Sequence, residues 1–402
     1  MSVSVAATTT KRTTDRPAVA KAESGARRMS VAIYLHDLAG GGAERQSLII
    51  AEELRRHGAD VTMVLHRLRG QLLEQVPSGL RILDLNSSRT LMDVPRLMGF
   101  LRREKPDILL SNVDLNNVAA LLAKRLSFSP TKVVICQHNP ISSAFVVGEQ
   151  WLYRHIALFY RILSPMISRA VAVSSGVAAE IESLAGLPRE RIQTIHNPVI
   201  GPDFPARSEE IIYHRWFHQP TLPVFVTAGR LVPQKDHATL LQALAVHRRH
   251  ANSRLIVLGS GALEESLRAL AASLGLTDAI DFLGFQANAL PYIRQADAFV
   301  LSSRCEGFGN VLVEAMGCGT PIISTRCEHG PAEILDNGRY GLLVEPQNPD
   351  ALAAAMDEVA SLRARFPAEM LRQRSGDFSY AACASRYIGI FKALVPNRAW
   401  VN

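Results

Sequence analysis

Residues 298–317 read Ala-Phe-Val-Leu-Ser-Ser-Arg-Cys-Glu-Gly-Phe-Gly-Asn-Val-Leu-Val-Glu-Ala-Met-Gly. The apolar run Ala298–Ser302 predicts a strand, the residues around Gly307 and Gly309 a turn, and those after them a helix carrying Glu314 about one turn inside it. A strand that feeds a helix through a tight turn is half of a βαβ unit, and the rest of the chain repeats the pattern. In the second half the other strand candidates are Val224–Ala228, Arg254–Leu258, Ile280–Leu283 and Pro321–Ser324. In the first half they are Val31–His36, Val61–His66, Arg81–Leu85, Asp107–Ser111, Lys132–Gln137, Ala170–Ser174 and Ile192–His196. Runs this continuously apolar fit parallel strands covered on both faces by helices.

The two series are separated by a Pro-rich, weakly periodic stretch containing Gly201-Pro202-Asp203-Phe204-Pro205, Gln219-Pro220 and Pro223. The expected fold is α/β, with two doubly wound, Rossmann-like parallel-sheet domains facing a central cleft. The expected boundaries are a disordered basic tail over 1–28, a first domain over 29–200, a linker over 201–222, a second domain over 223–376 and a closing stretch over 377–402. Ligands of such sheets sit beyond the carboxyl ends of the strands, so the turns after strands are the places to search.

Composition narrows the function classes. With 48% hydrophobic and 20% charged residues over 402 positions, the chain can bury one or two sizeable cores, and it is neither disordered nor fibrous overall. A formal charge of +7 first suggests nucleic acid or an anionic membrane surface. The surplus, however, is +4 in residues 1–28, +4 in 29–199 and −1 in 200–402, which argues against a uniformly basic nucleic-acid binder. The tail lacks an apolar h-region, so it does not read as a signal peptide. Cys136, Cys305, Cys318, Cys327 and Cys383 form no C-x-x-C pair, which argues against a disulfide scaffold or zinc site and for a reducing, cytoplasmic compartment. No run reaches the roughly 18 apolar residues of a membrane span. The segment 144–167 interleaves Trp151, Tyr153, Arg154, His155, Phe159, Tyr160 and Arg161. It reads either as a core helix with solvated arginines or as an interfacial helix on the inner face of a membrane.

Three turns carry candidate chemistry. After the first strand, Asp37-Leu38-Ala39-Gly40-Gly41-Gly42-Ala43-Glu44 opens a helix, and glycines there let backbone N–H groups approach an anion at the helix N-terminus. The loop matches neither G-x-G-x-x-G nor a P-loop, and a plain tight turn would also explain it. After Val224–Ala228, the stretch Gly229-Arg230-Leu231-Val232-Pro233-Gln234-Lys235 projects two cations from one short loop, suited to a diphosphate or simply solvated. In the opening stretch, Glu306 and Glu314 stand eight positions apart. Glu306 can reach a ligand in front of the helix while the N–H groups of Gly307, Phe308, Gly309 and Asn310 face its anionic part, and Glu314 can accept hydrogen bonds from a diol. An exposed loop acid and a helix-surface acid are the plain alternatives.

In this order and spacing, the Gly40–Glu44 turn, the Gly229-Arg230…Lys235 loop and Glu306-x7-Glu314 resemble the GT-B glycosyltransferases of family 4, which retain anomeric configuration. Gly317-Cys318-Gly319-Thr320-Pro321 and Gly330-Pro331-Ala332-Glu333-Ile334 strengthen the resemblance, which spans about residues 30–395. It implies a nucleotide-sugar, UDP- or GDP-linked, as substrate, with no separate cofactor and no metal, since the sequence has no Asp-x-Asp. It also implies that Arg230 and Lys235 hold the diphosphate, Glu306 the sugar hydroxyls and Glu314 the ribose hydroxyls. The turns Gly259-Ser260-Gly261 and Leu283-Gly284-Phe285 would frame the base, and Gly41 and Gly42 would bind the donor through backbone N–H groups. His138 matches a histidine that the family often places near the donor sugar, with a core or capping role as the alternative. His36 reads as structural, whereas Glu328 and His329 are candidates to face the acceptor. The stretch Phe378-Ser379-Tyr380…Tyr387…Phe391 corresponds to a helix that returns to the first domain. The implied activity is transfer to a glycan acceptor, lipid-linked surface polysaccharide or lipopolysaccharide, by a peripheral enzyme. Competing classes are a nucleotide-sugar epimerase on the same scaffold, an NAD-dependent oxidoreductase, disfavoured by the missing G-x-G-x-x-G, and a non-catalytic binder, which intact Glu306 and Glu314 disfavour.

Overall fold

A computed structural model describes residues 27–140, 150–218 and 222–400. Seven strands build the first sheet: β1 (Ser30–Leu35), β2 (Asp60–Leu65), β3 (Arg81–Asp84), β4 (Ile108–Asn112), β5 (Lys132–Gln137), β6 (Ile167–Ala172) and β7 (Ile192–Thr194), in the order β3-β2-β1-β4-β5-β6-β7. Six build the second: β8 (Val224–Ala228), β9 (Arg254–Leu258), β10 (Ile280–Gly284), β11 (Ala298–Leu301), β12 (Ile322–Thr325) and β13 (Leu342–Val344), in the order β10-β9-β8-β11-β12-β13. Every pairing among the described residues is parallel, as with Ser30 opposite Asp60 and Phe299 opposite Ile322. Strand order reverses between β1 and β4 in one sheet and between β8 and β11 in the other, and a crevice opens at such points.

The period of two along a strand explains why the strand sequences are apolar throughout. In β1, Val31, Ile33 and Leu35 join a core with Leu48 and Leu54 of the helix Gly42–Arg56, whereas Ala32 and Tyr34 face the opposite core with Phe100 and Leu121. The helix Tyr380–Leu394 packs on the first sheet, where Cys383, Tyr387 and Phe391 enter the same core as Val31 and Ile33. Ser379 starts that helix by accepting the Ala382 N–H. Among the described residues the chain crosses between halves twice, side by side: the N–H groups of Val199 and Ile200 donate to the Phe378 carbonyl, and that of Tyr380 donates to the Ile200 carbonyl.

Some expectations shift. The predicted strand Ala170–Ser174 ends at Ala172 because Ser174 caps the next helix, Ser175–Ala185, accepting the Val177 N–H at 3.3 Å. Strand β13 was not anticipated, since three half-buried residues carry no periodic signal. The stretch 201–222 is not irregular throughout: it holds the short helices Phe204–Ser208 and Arg215–His218, anchored by buried Phe204 and Trp216. Residues 1–26 of the tail and 144–149 of the aromatic segment lie outside the described residues. So do 219–221 of the stretch between the halves and 401–402 at the C-terminus.

Candidate functional site

Between the reversal points lies a cavity of about 430 Å³. On its second-half side, two loops are tied together before any ligand is considered. The Arg304 N–H donates to the Gln234 carbonyl at 2.9 Å, Gln234 Nε2 to the Cys305 carbonyl at 2.9 Å and Ser302 Oγ to the Lys235 carbonyl at 2.9 Å. The Arg304 guanidinium also pairs with Asp236 at 3.1 Å. This clamp brings Lys235 Nζ to 2.5 Å from Glu306 Oε1, which also accepts from Ser303 Oγ at 2.6 Å. Glu306 is 5% exposed, so its charge is tolerable only because it is paired and hydrogen-bonded. An ammonium group has three N–H donors, and two remain beyond Glu306. Arg230, beside Lys235 on the cavity wall, is exposed and has no ion-pair partner among the described residues.

Gly309, at φ +100°, turns the chain into the helix Asn310–Cys318, whose N-terminus opens on the cavity. Glu314 projects into the cavity from that helix. Burial raises its pKa, while the Arg207 and Arg45 guanidiniums oppose the rise.

The first half supplies Gly42, Ala43 and Gln46 from its first helix, His138 and Asn139 after β5, and Asn197. Burial pushes His138 down to about 4, so the ring is neutral near pH 7. Its Nε2 lies 2.9 Å from Asn112 Oδ1, an acceptor, and therefore carries the ring proton. Gln137 anchors this segment, donating to Asp114 and to the Asn139 carbonyl. The two halves meet closely: a Cβ on Gly307 would lie 2.1 Å from the His138 carbonyl oxygen, and Asn197 Nδ2 donates to Asn310 Oδ1 at 2.9 Å.

The cavity thus brings together Gly42, His138, Arg230, Lys235, Glu306, Gly307, Phe308, Gly309, Asn310 and Glu314, drawn from both halves. It does not bring in Gly41, Gly261 or Phe285. Gly41 is the residue before the first helix. A Cβ on Gly261 would meet the Leu231 carbonyl oxygen at 2.4 Å, so that glycine serves loop packing. Phe285 is 75% exposed. His36 stacks on His66 with ring centroids 4.3 Å apart, and His329 packs against Gly176. Sequence reasoning missed Gln46, Asn139, Asn197 and Gln234; neutral amides carry no charge signature, and only the fold gathers them.

Among the described residues no group of three or more His, Cys, Asp or Glu side chains could hold a metal ion, and no helix is long and apolar enough to cross a membrane. The family described as glycosyl transferases group 1 matches residues 209–375, and glycosyltransferase family 4 matches residues 40–200. The lipopolysaccharide core biosynthesis glycosyltransferase LpsE of Rhizobium meliloti is 27% identical over 363 residues, covering 87% of this chain and 95% of that protein. The glycosyltransferase of Rickettsia africae superposes with a TM-score of 0.76 at 18% identity, over 92% of this chain and 99% of that one. Anabaena HepE in complex with UDP-glucose superposes with a TM-score of 0.74 at 20% identity, over 91% of this chain and all of that one. The two of these named by their activity are glycosyltransferases, which gives the epimerase alternative no support. Two family matches in tandem, laid over two parallel sheets that meet at one cleft, lead to one conclusion: the chain belongs to the group 1, family 4 glycosyltransferases of the GT-B fold.

Proposed function

We propose that this glycosyltransferase moves a hexose from a UDP- or GDP-sugar to a glycan acceptor, a lipid-linked surface polysaccharide or lipopolysaccharide, with retention and without a metal. The observation that carries the reading is the Lys235–Glu306 pair, set beside Arg230 and in front of the helix Asn310–Cys318. In the reaction the bond between the anomeric carbon and a phosphate oxygen breaks, and a bond to the acceptor oxygen forms on the same face. The acceptor proton passes to the departing phosphate. Arg230 and Lys235 stabilise the charge growing on that phosphate, assisted by the helix N-terminus, so positive charge is available from the chain itself. Glu306 holds the sugar hydroxyls while keeping Lys235 in place, Glu314 accepts from the ribose hydroxyls, and neutral His138 lies against the donor sugar from the other half.

The acceptor class is supported by LpsE, named for lipopolysaccharide core biosynthesis. A GDP-mannose-dependent mannosyltransferase of Mycolicibacterium smegmatis, 33% identical over 34% of this chain, supports a nucleotide-sugar donor. We further assign the working units as 29–200 and 223–376, joined by 201–222, with 377–402 returning to the first. Contact with the anionic inner face of the membrane is supported by the helix Gln150–Leu163, which buries Ile156, Tyr160 and Leu163 yet exposes Leu158, Phe159 and Ile162 beside Arg161.

A thermal-shift screen of UDP, GDP, ADP and their sugars tests the donor site: a ligand at about 100 times its Kd stabilises the folded state by about 2.7 kcal/mol. NMR of the product then reads the anomeric configuration, with and without a chelator. Absence of stabilisation by every nucleotide, inversion, or activity abolished by the chelator overturns the corresponding part of the reading.

A further inference from the structure

The motif Gly330-Pro331-Ala332-Glu333 has no part in the transfer as described above, and its geometry points elsewhere. Glu333 belongs to the second half, yet its carboxylate is held by the first. His196 Nε2 lies 2.6 Å from Glu333 Oε1, and Oε2 accepts from the Ser175 backbone N–H at 2.8 Å and from Ser175 Oγ at 2.9 Å. Ser175 opens the helix Ser175–Ala185, so the carboxylate also meets the positive end of that helix. Both partners are shielded: the side chains of His196 and Glu333 are 15% and 24% exposed. Burial alone would raise the Glu333 pKa, but the hydrogen bonds from His196 and Ser175 outweigh it and hold the carboxyl below its ordinary value.

The contact is mounted rigidly on both sides. Arg374 Nη2 donates to the Glu333 carbonyl at 3.0 Å, and the same guanidinium stacks on Phe378 with a separation of 5.0 Å. His196 stacks on Phe308, centroids 5.2 Å apart, and meets Phe378 at 5.4 Å. Phe308 sits between the cavity residues Gly307 and Gly309, and Gly330, at φ +93°, presses so close that a Cβ there would lie 1.9 Å from the Phe308 carbonyl oxygen. Phe378 marks the place where the chain crosses between halves. One cluster therefore connects the bond between the halves, the crossover and the loop that carries Glu306.

We propose that Glu333 is a positioning residue: through His196 and Ser175 it latches the two halves together over the cavity, and through Phe308 it sets the Glu306–Asn310 loop in its closed arrangement. Glu333 itself touches no reacting group. Losing the latch leaves the residues assigned to the nucleotide in place on the second half but separates them from His138 on the first, so turnover falls while nucleotide affinity does not. This consequence rests on the function proposed above; the closure itself does not.

The test uses the full chain with Glu333→Ala, Glu333→Gln, His196→Ala and the double variant Glu333→Ala/His196→Ala. Small-angle X-ray scattering without substrate reads closure, and the expected result is a larger radius of gyration for Glu333→Ala and His196→Ala, with a smaller change for Glu333→Gln, which keeps the shape and one acceptor. In turnover, each alanine variant is expected to lose about 10- to 100-fold in kcat, on the scale of a small misplacement across the reacting centre. Kd for the nucleoside diphosphate that stabilises the wild type should move less than about threefold, and the double variant should lose less than the product of the two single losses, because the His196–Glu333 contact is lost in all three. An unchanged radius of gyration overturns the latch. So do kcat losses that multiply in the double variant, or a nucleotide affinity that falls in step with kcat. If the wild type turns over no nucleotide-sugar, the proposed function fails while the scattering result still decides the latch.

Discussion

Gly307→Ala adds one methyl group where the two halves touch. The added Cβ would stand 2.1 Å from the His138 carbonyl oxygen and 3.2 Å from its carbonyl carbon, in contact with backbone that cannot swing aside. Contacts below 3.0 Å do not persist, so the halves must part by roughly 1 Å along this line. Gly307 is not among the glycines at positive φ, so alanine fits its local backbone and the cost falls on the contact between halves. A displacement of about 1 Å at a reacting centre can cost about 100-fold in rate. Initial rates at saturating donor and acceptor should therefore show kcat lowered by about 100-fold. The thermal unfolding midpoint should stay close to that of the wild type, because each sheet keeps its own core. Nucleoside diphosphate binding, which we place on the second half, should persist. A kcat within threefold of wild type would refute the argument that catalysis needs this approach between Gly307 and His138.

Lys235→Ala and Glu306→Ala should each lower turnover at least about 100-fold, the scale of losing a transition-state electrostatic contact, as measured by nucleoside diphosphate release. Gly389→Ala should instead stabilise the chain by about 0.5–1 kcal/mol in chemical denaturation, since this helical glycine has nothing within 4 Å of the added methyl. Asp114 is raised by burial from 3.8 to about 6, only partly offset by Gln137. Between those values the folded chain binds more protons than the unfolded one, so this carboxyl makes stability fall as pH rises through that window and leaves it low above pH 6. Calorimetry of Asp114→Asn should accordingly show a higher melting midpoint than wild type at pH 7.5, with the gain shrinking toward pH 4.5.

Several features of the fold are legible residue by residue. Lys132–Gln137, Val224–Ala228 and Arg254–Leu258 are strands with the boundaries their apolar runs indicate. Their signal is strong because residues buried on both faces leave no polar positions to blur the edges. Leu342–Val344 gives no such signal, and the helices inside 201–222 are too short for a periodicity to register. At the site, Arg230, Lys235 and Glu306 stand out as charges in turns after strands and Glu314 as a carboxylate among apolar helix neighbours, and the resemblance of their order and spacing to the family gave them ligand roles. Gln46 and Asn197 could not, since an amide is indistinguishable from the many that decorate surfaces until the fold points it at the cavity.

The sequence by itself determined the alternation of strand and helix, hence the parallel sheets, and it placed Arg230, Lys235 and Glu306 in turns at the carboxyl ends of strands and Glu314 in the helix that follows. Those are consequences of local periodicity and turn chemistry, which act over a few residues. Only the tertiary structure decided that Lys235 and Glu306, 71 positions apart, form a 2.5 Å pair, that Gly307 abuts His138, and that Glu333 is held by His196 and Ser175. Each of those contacts depends on how the two sheets are turned toward one another, a relation carried by packing at the crossover and not by any stretch of chain read alone.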